Sequence, residues 1–498
     1  MRKDYLKCLK VMVNLILTYS IVLLNSYATN IVLETGDVES PYLIYNETDL
    51  NRMSEEPTAH FKLMCDITLS KAWLGIENFS GILDGNGYNI YKYKNNEESS
   101  ILGLVSINSG TIKNLGIFAS ENMNAEKCIY SGVFAGTNSG VIENCIFKGN
   151  ICVSFYKNNT SASLFVGGIS GMNIGTIRDC YVLGNISGEN KTNGKVYCGG
   201  IIGLNEGHIS DSFINGDIFS SSITSSGYAY GGGISGYNKG KIFNSGSRGS
   251  VYAHAYSNYS YSGGVIGFQD YGGECKNSYS SSTISATAYL GGTTYGGYCL
   301  GGLIGNNNGM VENCYAVGYI SKYIYNNSYG GLVGSSDINS NSKILNSYFD
   351  KSLTGCSANG FGTAYTSAEM RNLDNYRQWD FMNIWGYTQG AYPILQKEKT
   401  FYDKFDVCNI IVDEEQIGIE LSSNLKTVEE GLVIVGIYDE KDCLTKLLTR
   451  KINGFNIDDS FNFYIKINKE KDKKIKAYLW KDAMELTPIA NVYTKRFK

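Results

Sequence analysis

Tyr230 to Val251 reads YGGGISGYNKGKIFNSGSRGSV, and this stretch recurs with drift from Ile101 to Asp350. Before it come ILGLVSINSGTIKNLGI, YSGVFAGTNSGVIENCIFKGNI, FVGGISGMNIGTIRDCYVLGNI and YCGGIIGLNEGHISDSFINGDI. After it come YSGGVIGFQDYGGECKNSYSSSTI, CLGGLIGNNNGMVENCYAVGYI and YGGLVGSSDINSNSKILNSYFD. With Ser106, Gly136, Gly171, Gly203, Gly236, Gly267, Gly305 and Gly334 as phase marks, the period is roughly 29 to 38 residues, the range of stacked arrays. Each unit holds two short runs rich in Ile, Val and Tyr, broken at Gly and Asn, without helical periodicity. Glycine at this density would weaken a helix by about 1 kcal/mol per position. Three short strands per unit, stacked at roughly 4.8 Å, build parallel sheets around a filled interior. The expected fold is all-β, a right-handed parallel β-helix with caps at both ends, followed by a small β-sandwich.

In a stack, a residue's role is set by its vertical file. One file reads Asn114, Asn144, Asp179, Asp211, Asn244, Asn277, Asn313 and Asn346. Asx residues tolerate a left-handed turn, and in register they form a side-chain ladder down one corner. The next file reads Leu115, Cys145, Cys180, Ser212, Ser245, Ser278, Cys314 and Ser347, small residues suited to a tight interior. The file beyond holds Tyr181, Phe213, Tyr279, Tyr315 and Tyr348. Alternation along a strand turns these rings outward, where they form a candidate binding surface for a sugar or an apolar partner; the plainer reading is a row that covers an exposed sheet through cross-coil aromatic contacts.

The pattern G-G-[IVL]-[IVS]-G-x-N-x-G-x-I-x-[ND]-[CS] resembles the GLUG repeat of secreted bacterial surface proteins, found in adhesin-like chains and beside IgA-cleaving metallopeptidases. The resemblance covers about half the chain. The copy at Gln269–Gly273 and the final copy depart from it, with Asp270 and Ser336 where Asn usually sits, which implies irregular turns there. The segment Phe79–Ile90, FSGILDGNGYNI, is similar to the first coils that precede such repeats. The run T-x-A-E-M, W-D-F, W, Y-P-x-L after Asp350 is similar to the segment that closes them.

The domain plan follows. Residues 1–28 carry Arg2, Lys3, Lys7 and Lys10, an apolar run from Val11 to Leu24, and Ser26 and Ala28 before the expected cut, the pattern of a secretory signal. No later segment is long and apolar enough to span a membrane, and the C-terminal residues show no sorting signal. Residues 29–100 form the N-terminal cap and first coils, with a short capping helix at Glu47–Met53, a strand at His60–Ile67, and a strand, tight turn and strand over Phe79–Ile90. The repeat occupies 101–350. Residues 351–397 are its C-terminal cap, with a capping-box helix from Thr366 and Trp379 and Trp385 laid over the last coil, or presented as a sugar-binding shelf. A linker, 398–406, leads to a β-sandwich over 407–498. Its hairpin joins Leu432–Tyr438 to Cys443–Leu448, and Phe461–Ile467 and Ile475–Trp480 continue the sheet. That module resembles the immunoglobulin-like ends of clostridial-type secreted proteins.

The composition fits an exported chain. Gly 58, Pro 4 and Tyr 39 suit many short strands and tight turns, and a net charge of −4 gives no basic field for nucleic acid. The 13 Cys lack zinc-site spacing, and Cys145, Cys180 and Cys314 read as buried thiols serving as small apolar filler. Disulfides between neighbouring coils are the alternative.

For chemistry the sequence offers little. His occurs only at 60, 208 and 254, there is no H-E-x-x-H, and no nucleophile elbow or phosphate loop stands in a usable context. Asp179 and Asp211, in consecutive coils, are the one suggestive carboxylate pair, a candidate glycosidase centre or, with Asp217 or Glu206, a cation site. The plainer reading is two Asp replacing Asn at a solvated corner. No cofactor and no metal are expected. Three functions remain: a non-enzymatic secreted or cell-surface protein that adheres to host protein, matrix protein or glycan; a carbohydrate-active enzyme, hydrolase or lyase; and a structural spacer.

Overall fold

The computed structural model describes residues 34–398 except 95–100, 120–122, 126–128, 157–160, 225, 257, 289–296, 323–327, 338–341 and 358–360. Beyond 406 it gives the strand backbones named below. The signal segment expected at 1–28 lies outside the described residues. The chain divides into two compact units, meeting in sequence at Gln378 and Trp379.

The first unit is a parallel β-solenoid. Between Leu102 and Phe349 the described residues contain no helix. One coil shows the plan: first face Leu164–Gly167, second face Ser170–Asn173, third face Thr176–Arg178, fourth face Tyr181–Leu183 and fifth face Ile186–Asn190. Stacking gives sheets of 8, 9, 11, 11 and 6 strands for the five faces in that order. Every pairing within them is parallel, and each residue sits on its counterpart in the next coil, as Ile177 does on Ile209. The three strands per coil expected from sequence are thus five. Strands of two to four residues hide within what reads as one apolar run, because glycines split the run at corners.

The core follows the files. On the third face Ile112, Ile142, Ile177, Ile209, Ile242, Cys275 and Val311 all point inward and are fully buried. Each buried Ile contributes about 1.5–3 kcal/mol relative to exposure, so the central coils support one another. Gly203, on the second face, shows why the motif needs its third glycine. A Cβ there would stand 2.7 Å from Tyr197 O and from Val166 N, both backbone atoms of the first face. The two faces therefore meet backbone to backbone, closer than any side chain allows.

The corner between the third and fourth faces is the expected Asx file. All eight residues, Asn114 through Asn346, have φ between 47° and 54°. The Cys/Ser file after it is buried, and smallness is only half the reason for its composition. Ser212 Oγ donates to Ser210 O (2.8 Å) and accepts from Cys180 N (3.2 Å). Cys180 Sγ makes the equivalent bond to Arg178 O, at 3.2 Å. Cys145, Cys180 and Cys314 are buried free thiols.

A second amide ladder runs inside the second-to-third corner: Asn108, Asn138, Asn173, Asn205, Asn238, Gln269 and Asn307, all with no exposed surface. Each side-chain nitrogen donates to the next oxygen at 2.7–3.1 Å. Gln269, not Asp270, therefore takes the Asn position in its coil. Asp270 begins an added turn closed by Gly273 N donating to Asp270 O (3.0 Å), with Gly272 at φ 78°.

At the N-terminal end, helix Glu47–Asn51 and the 3-10 turn Arg52–Ser54 bury Leu50 and Met53, and Asn46 caps them by accepting from Thr48 N and Asp49 N. The expected strand at 60–67 is two, His60–Leu63 and Ile67–Thr68. At the other end, helix Lys351–Thr354, strand Thr363–Tyr365 and helix Ser367–Met370 follow the last coil, the last with a full capping box between Thr366 and Glu369. Tyr376 completes this cap, donating to Met370 O (2.6 Å) and meeting Tyr348 edge-on.

Trp379 and Trp385 fall in the second unit, where they stack on each other at 4.4 Å. Both are buried, so neither forms a solvent-facing shelf. Beyond residue 406 the strands form two antiparallel sheets. One pairs Val407–Val412, Gln416–Ser422 and Ser460–Lys466; the other orders Leu444–Phe455, Val428–Tyr438, Lys474–Trp480 and Tyr493–Arg496. The expected hairpin is present, and Lys474–Trp480 continues its sheet, whereas Ser460–Lys466 joins the other one.

Candidate binding surface

The aromatic file chosen from sequence is not a surface. Tyr181, Phe213, Tyr279 and Tyr315 alternate away from the inward residues Val182, Ile214 and Ala316, yet they are only 3%, 2%, 2% and 3% exposed. The rings cover one another: Tyr181 stacks on Phe213 at 5.0 Å, and Tyr279 on Tyr315 at 5.1 Å. Between those pairs the file holds Gly246, a gap over which the Tyr279 ring lies, and Arg248 donates to the Tyr279 hydroxyl (3.0 Å). Tyr348, at the end of the file, is half-buried and stacks on Tyr365. Outward in a strand is not the same as wet.

A more open aromatic file lies on the first face. Tyr130, Phe165, Tyr197, Tyr230 and Tyr261 stack with centroids 4.9, 4.9, 4.9 and 5.2 Å apart and planes within 6° of parallel. All but Tyr230 are half-buried. Because Gly203 and its counterparts let the first and second faces meet so closely, the outer surface has an inside angle between them. The second face lines it with Thr137, Met172, Leu204, Tyr237 and Phe268. Tyr237 meets Tyr197 and Tyr230 edge-on at 5.5 and 5.4 Å, and Phe268 meets Tyr261 at 5.1 Å.

Burial holds the phenols of this groove in their neutral, donating form. It pushes Tyr197 up to about 12, and Tyr230 and Tyr261 are raised from the same cause. Tyr237 is raised by burial and by donating to Asp270 Oδ2 (2.8 Å). Sequence reading passed over these residues although five consecutive quoted copies, at 130, 165, 197, 230 and 261, open on the signal: aromatic, one residue, then Gly.

Asp179 and Asp211 do lie in consecutive coils of the corner file, with φ of 51° and 50°. The ladder beside them explains Asp211 without chemistry. Asn144 donates to Asn114, and Asn114 to Asp84 (2.8 and 3.0 Å). Asn313 donates to Asn277, Asn277 to Asn244, and Asn244 to Asp211 (3.3, 3.2 and 3.3 Å). Each run of amides ends at its foot on a carboxylate, a group that only accepts. The residues named for a cation site are engaged elsewhere. Glu206 pairs with Lys239 (3.1 Å), and Asp217, one face further on, accepts from Ser250 N and Oγ (2.9 and 2.7 Å). Among the described residues no group of three His, Cys, Asp or Glu side chains is placed to hold a metal ion.

The third face carries a vertical charge file in which Asp84, Lys113, Glu143 and Arg178 alternate in sign. Asp84 pairs with Lys113 at 3.8 Å, and Glu143 with Arg178. Such half-exposed pairs contribute little individually.

The GLUG motif family model matches residues 296–321, one coil of the solenoid. A protein of Evansella cellulosilytica named as a Gly-rich membrane protein is 40% identical over 98 residues, 19% of this chain and 11% of that protein. The chain therefore matches only about a tenth of its relative's length. No solved structure matches. The GLUG coil and this relative fit a surface β-helix protein. Among the described residues no helix is long and apolar enough to cross a membrane.

Proposed function

We propose that this GLUG-bearing chain is an exported, non-enzymatic surface protein that adheres through the flank of its solenoid to a host protein, matrix protein or glycan. The observation that carries the reading is the groove between the first and second faces. It is an aromatic file five coils long, half-exposed at every ring but Tyr230, on a scaffold whose files are locked by two amide ladders. Binding surfaces built on a rigid core lose little entropy on association, and Tyr-rich surfaces combine apolar area with hydroxyl donors. In this reading Asp211, one of the carboxylate pair considered for hydrolysis, serves as the foot of a corner ladder rather than as an acid or base. The two antiparallel sheets after residue 406 are read as an immunoglobulin-like end module.

Two measurements test the proposal. Fractionation of producing cells, with protease added to intact cells, should place the chain in the medium or in the protease-sensitive surface fraction. Purified chain should be retained on at least one of fibronectin, laminin, collagen, fixed host cells or a glycan array. A chain found only in the cytosol, or retained on none of these, overturns the proposal.

A further inference from the structure

We propose that the groove between the first and second faces seats one strand of an uncharged, linear glycan lying along the solenoid axis; this rests on the adhesion reading and names its ligand class. Aromatic carbons in contact stand about 3.5 Å apart, whereas the rings of the first face repeat at 4.9 Å with nearly parallel planes. They must therefore be slipped past one another by roughly 3.4 Å, an offset stack. The file is a staircase in which the half-buried rings of Tyr130, Phe165, Tyr197 and Tyr261 leave a strip uncovered by the next ring, while Tyr230 is closed over. An extended β-linked pyranose chain climbs by nearly the same rise per sugar and presents axial C–H groups to such strips. A peptide strand turns successive side chains to opposite faces, so those facing the rings repeat at about 6.6 Å and fall out of step within two coils.

Charge selects the same ligand. The five side chains of the ring file carry no charge, and neither do Thr137, Met172, Leu204, Tyr237 and Phe268 opposite them. A polyanion or polycation would be desolvated there without a counter-charge. Hydrogen bonding points to a polyhydroxylated partner. Among the described residues the hydroxyls of Tyr197, Tyr230 and Tyr261 hydrogen-bond to no protein atom, and burial keeps them protonated.

The test is calorimetric titration of the full chain with cellohexaose, xylohexaose, mannohexaose and laminarihexaose, their disaccharides, and hexagalacturonate as the charged control. At least one neutral hexaose should bind with a Kd below about 1 mM, more tightly than its disaccharide and than hexagalacturonate. The double variant Y197F/Y261F keeps both rings and removes both hydroxyls, so it should fold as the parent does by circular dichroism and bind about tenfold more weakly. No binding by any neutral hexaose, equal binding of hexagalacturonate, or unchanged affinity in the folded double variant overturns the inference. Retention on a matrix protein without glycan binding overturns this inference alone and leaves the adhesion proposal standing.

Discussion

Replacing Asn205 by Leu tests whether the interior amide ladder acts as a chain of directed bonds. Asn205 is fully buried, donates to Asn238 Oδ1 (2.8 Å) and accepts from Asn173 (2.9 Å). Leucine has similar length and branching, so the dominant loss is polar. Two ladder bonds worth about 0.5–1.5 kcal/mol each disappear, together with the longer donations to Gly207 O and Lys241 O (both 3.3 Å), and Asn238 Oδ1 becomes an orphaned buried acceptor at about 1–3 kcal/mol. Asn173 loses less, because its nitrogen keeps Gly175 O (3.3 Å). With some return from added apolar burial, the net cost is about 3 kcal/mol. The same change at Asn108 is the control. Asn108 is the ladder's first rung, and its Oδ1 is already buried without a partner, so in N108L the deficit removed offsets the newly orphaned Asn138 Oδ1 and the lost ladder bond leaves about 1 kcal/mol. Repeat arrays need not unfold in one step, so native-state hydrogen exchange at the central coils is the right assay. A gap of about 2 kcal/mol appears as roughly 30-fold faster exchange in N205L than in N108L. Equal exchange in the two variants would refute the directed ladder.

Four other outcomes follow from the geometry. G203A places a Cβ among backbone atoms that have no room to move and should cost more than about 3 kcal/mol; G87A, at φ 80° but in open space, should cost about 1 kcal/mol, and thermal unfolding of both separates close approach from dihedral strain. D211N gives the corner a donor toward Asp179 and should stabilise the chain by about 0.5–1.5 kcal/mol; a lower urea midpoint would contradict the ladder-foot role. Burial, then Lys241, lowers His208, and burial lowers His254, so the folded chain binds fewer protons than the unfolded one below about pH 6.5. Stability should therefore fall as pH drops from about 6.5, with a shallower fall in H208Q/H254Q. Finally, maleimide should label exposed Cys152 in the native chain and spare buried Cys145, Cys180, Cys198, Cys275 and Cys314, as read by mass spectrometry.

Which parts of the molecule are legible in the sequence depends on how local their cause is. The Asx corner is legible because a left-handed φ is a demand on one residue, and all eight positions meet it. The five-sided coil is not, since a corner at Gly200 between Gly199 and Ile201 looks, in one dimension, like the middle of a strand. The aromatic display file fails for a related reason. Alternation correctly turns Tyr181 away from Val182, but exposure depends on what lies above, below and beside the ring. Gln269 and Asp270 show the limit of alignment by eye, because an inserted turn shifts the phase by one residue and only the vertical bond to Asn238 decides which of them carries on the ladder.

The two ladders run in opposite senses, and that bears on why the coils cannot stand without caps. In the interior ladder each amide donates toward the C-terminal coil, so the rung lacking a donor is the first, Asn108. In the corner ladder each amide donates toward the N-terminal coil, and the buried oxygen without a donor is Asn313, near the last. Each ladder thus leaves a polar deficit near the end from which its donors come, at the first rung of one and one coil short of Asn346 in the other. Lengthening the array does not remove this cost but spreads it over more satisfied rungs, since every added coil brings about one net favourable bond to each ladder. Asp84 and Asp211 resolve the opposite end of the problem, because a carboxylate at the foot of a run accepts without having to donate. An Asp in an Asn file of a stacked repeat is therefore first evidence of where a hydrogen-bonded run stops, and only with a proton donor or a cation beside it does it become evidence of chemistry.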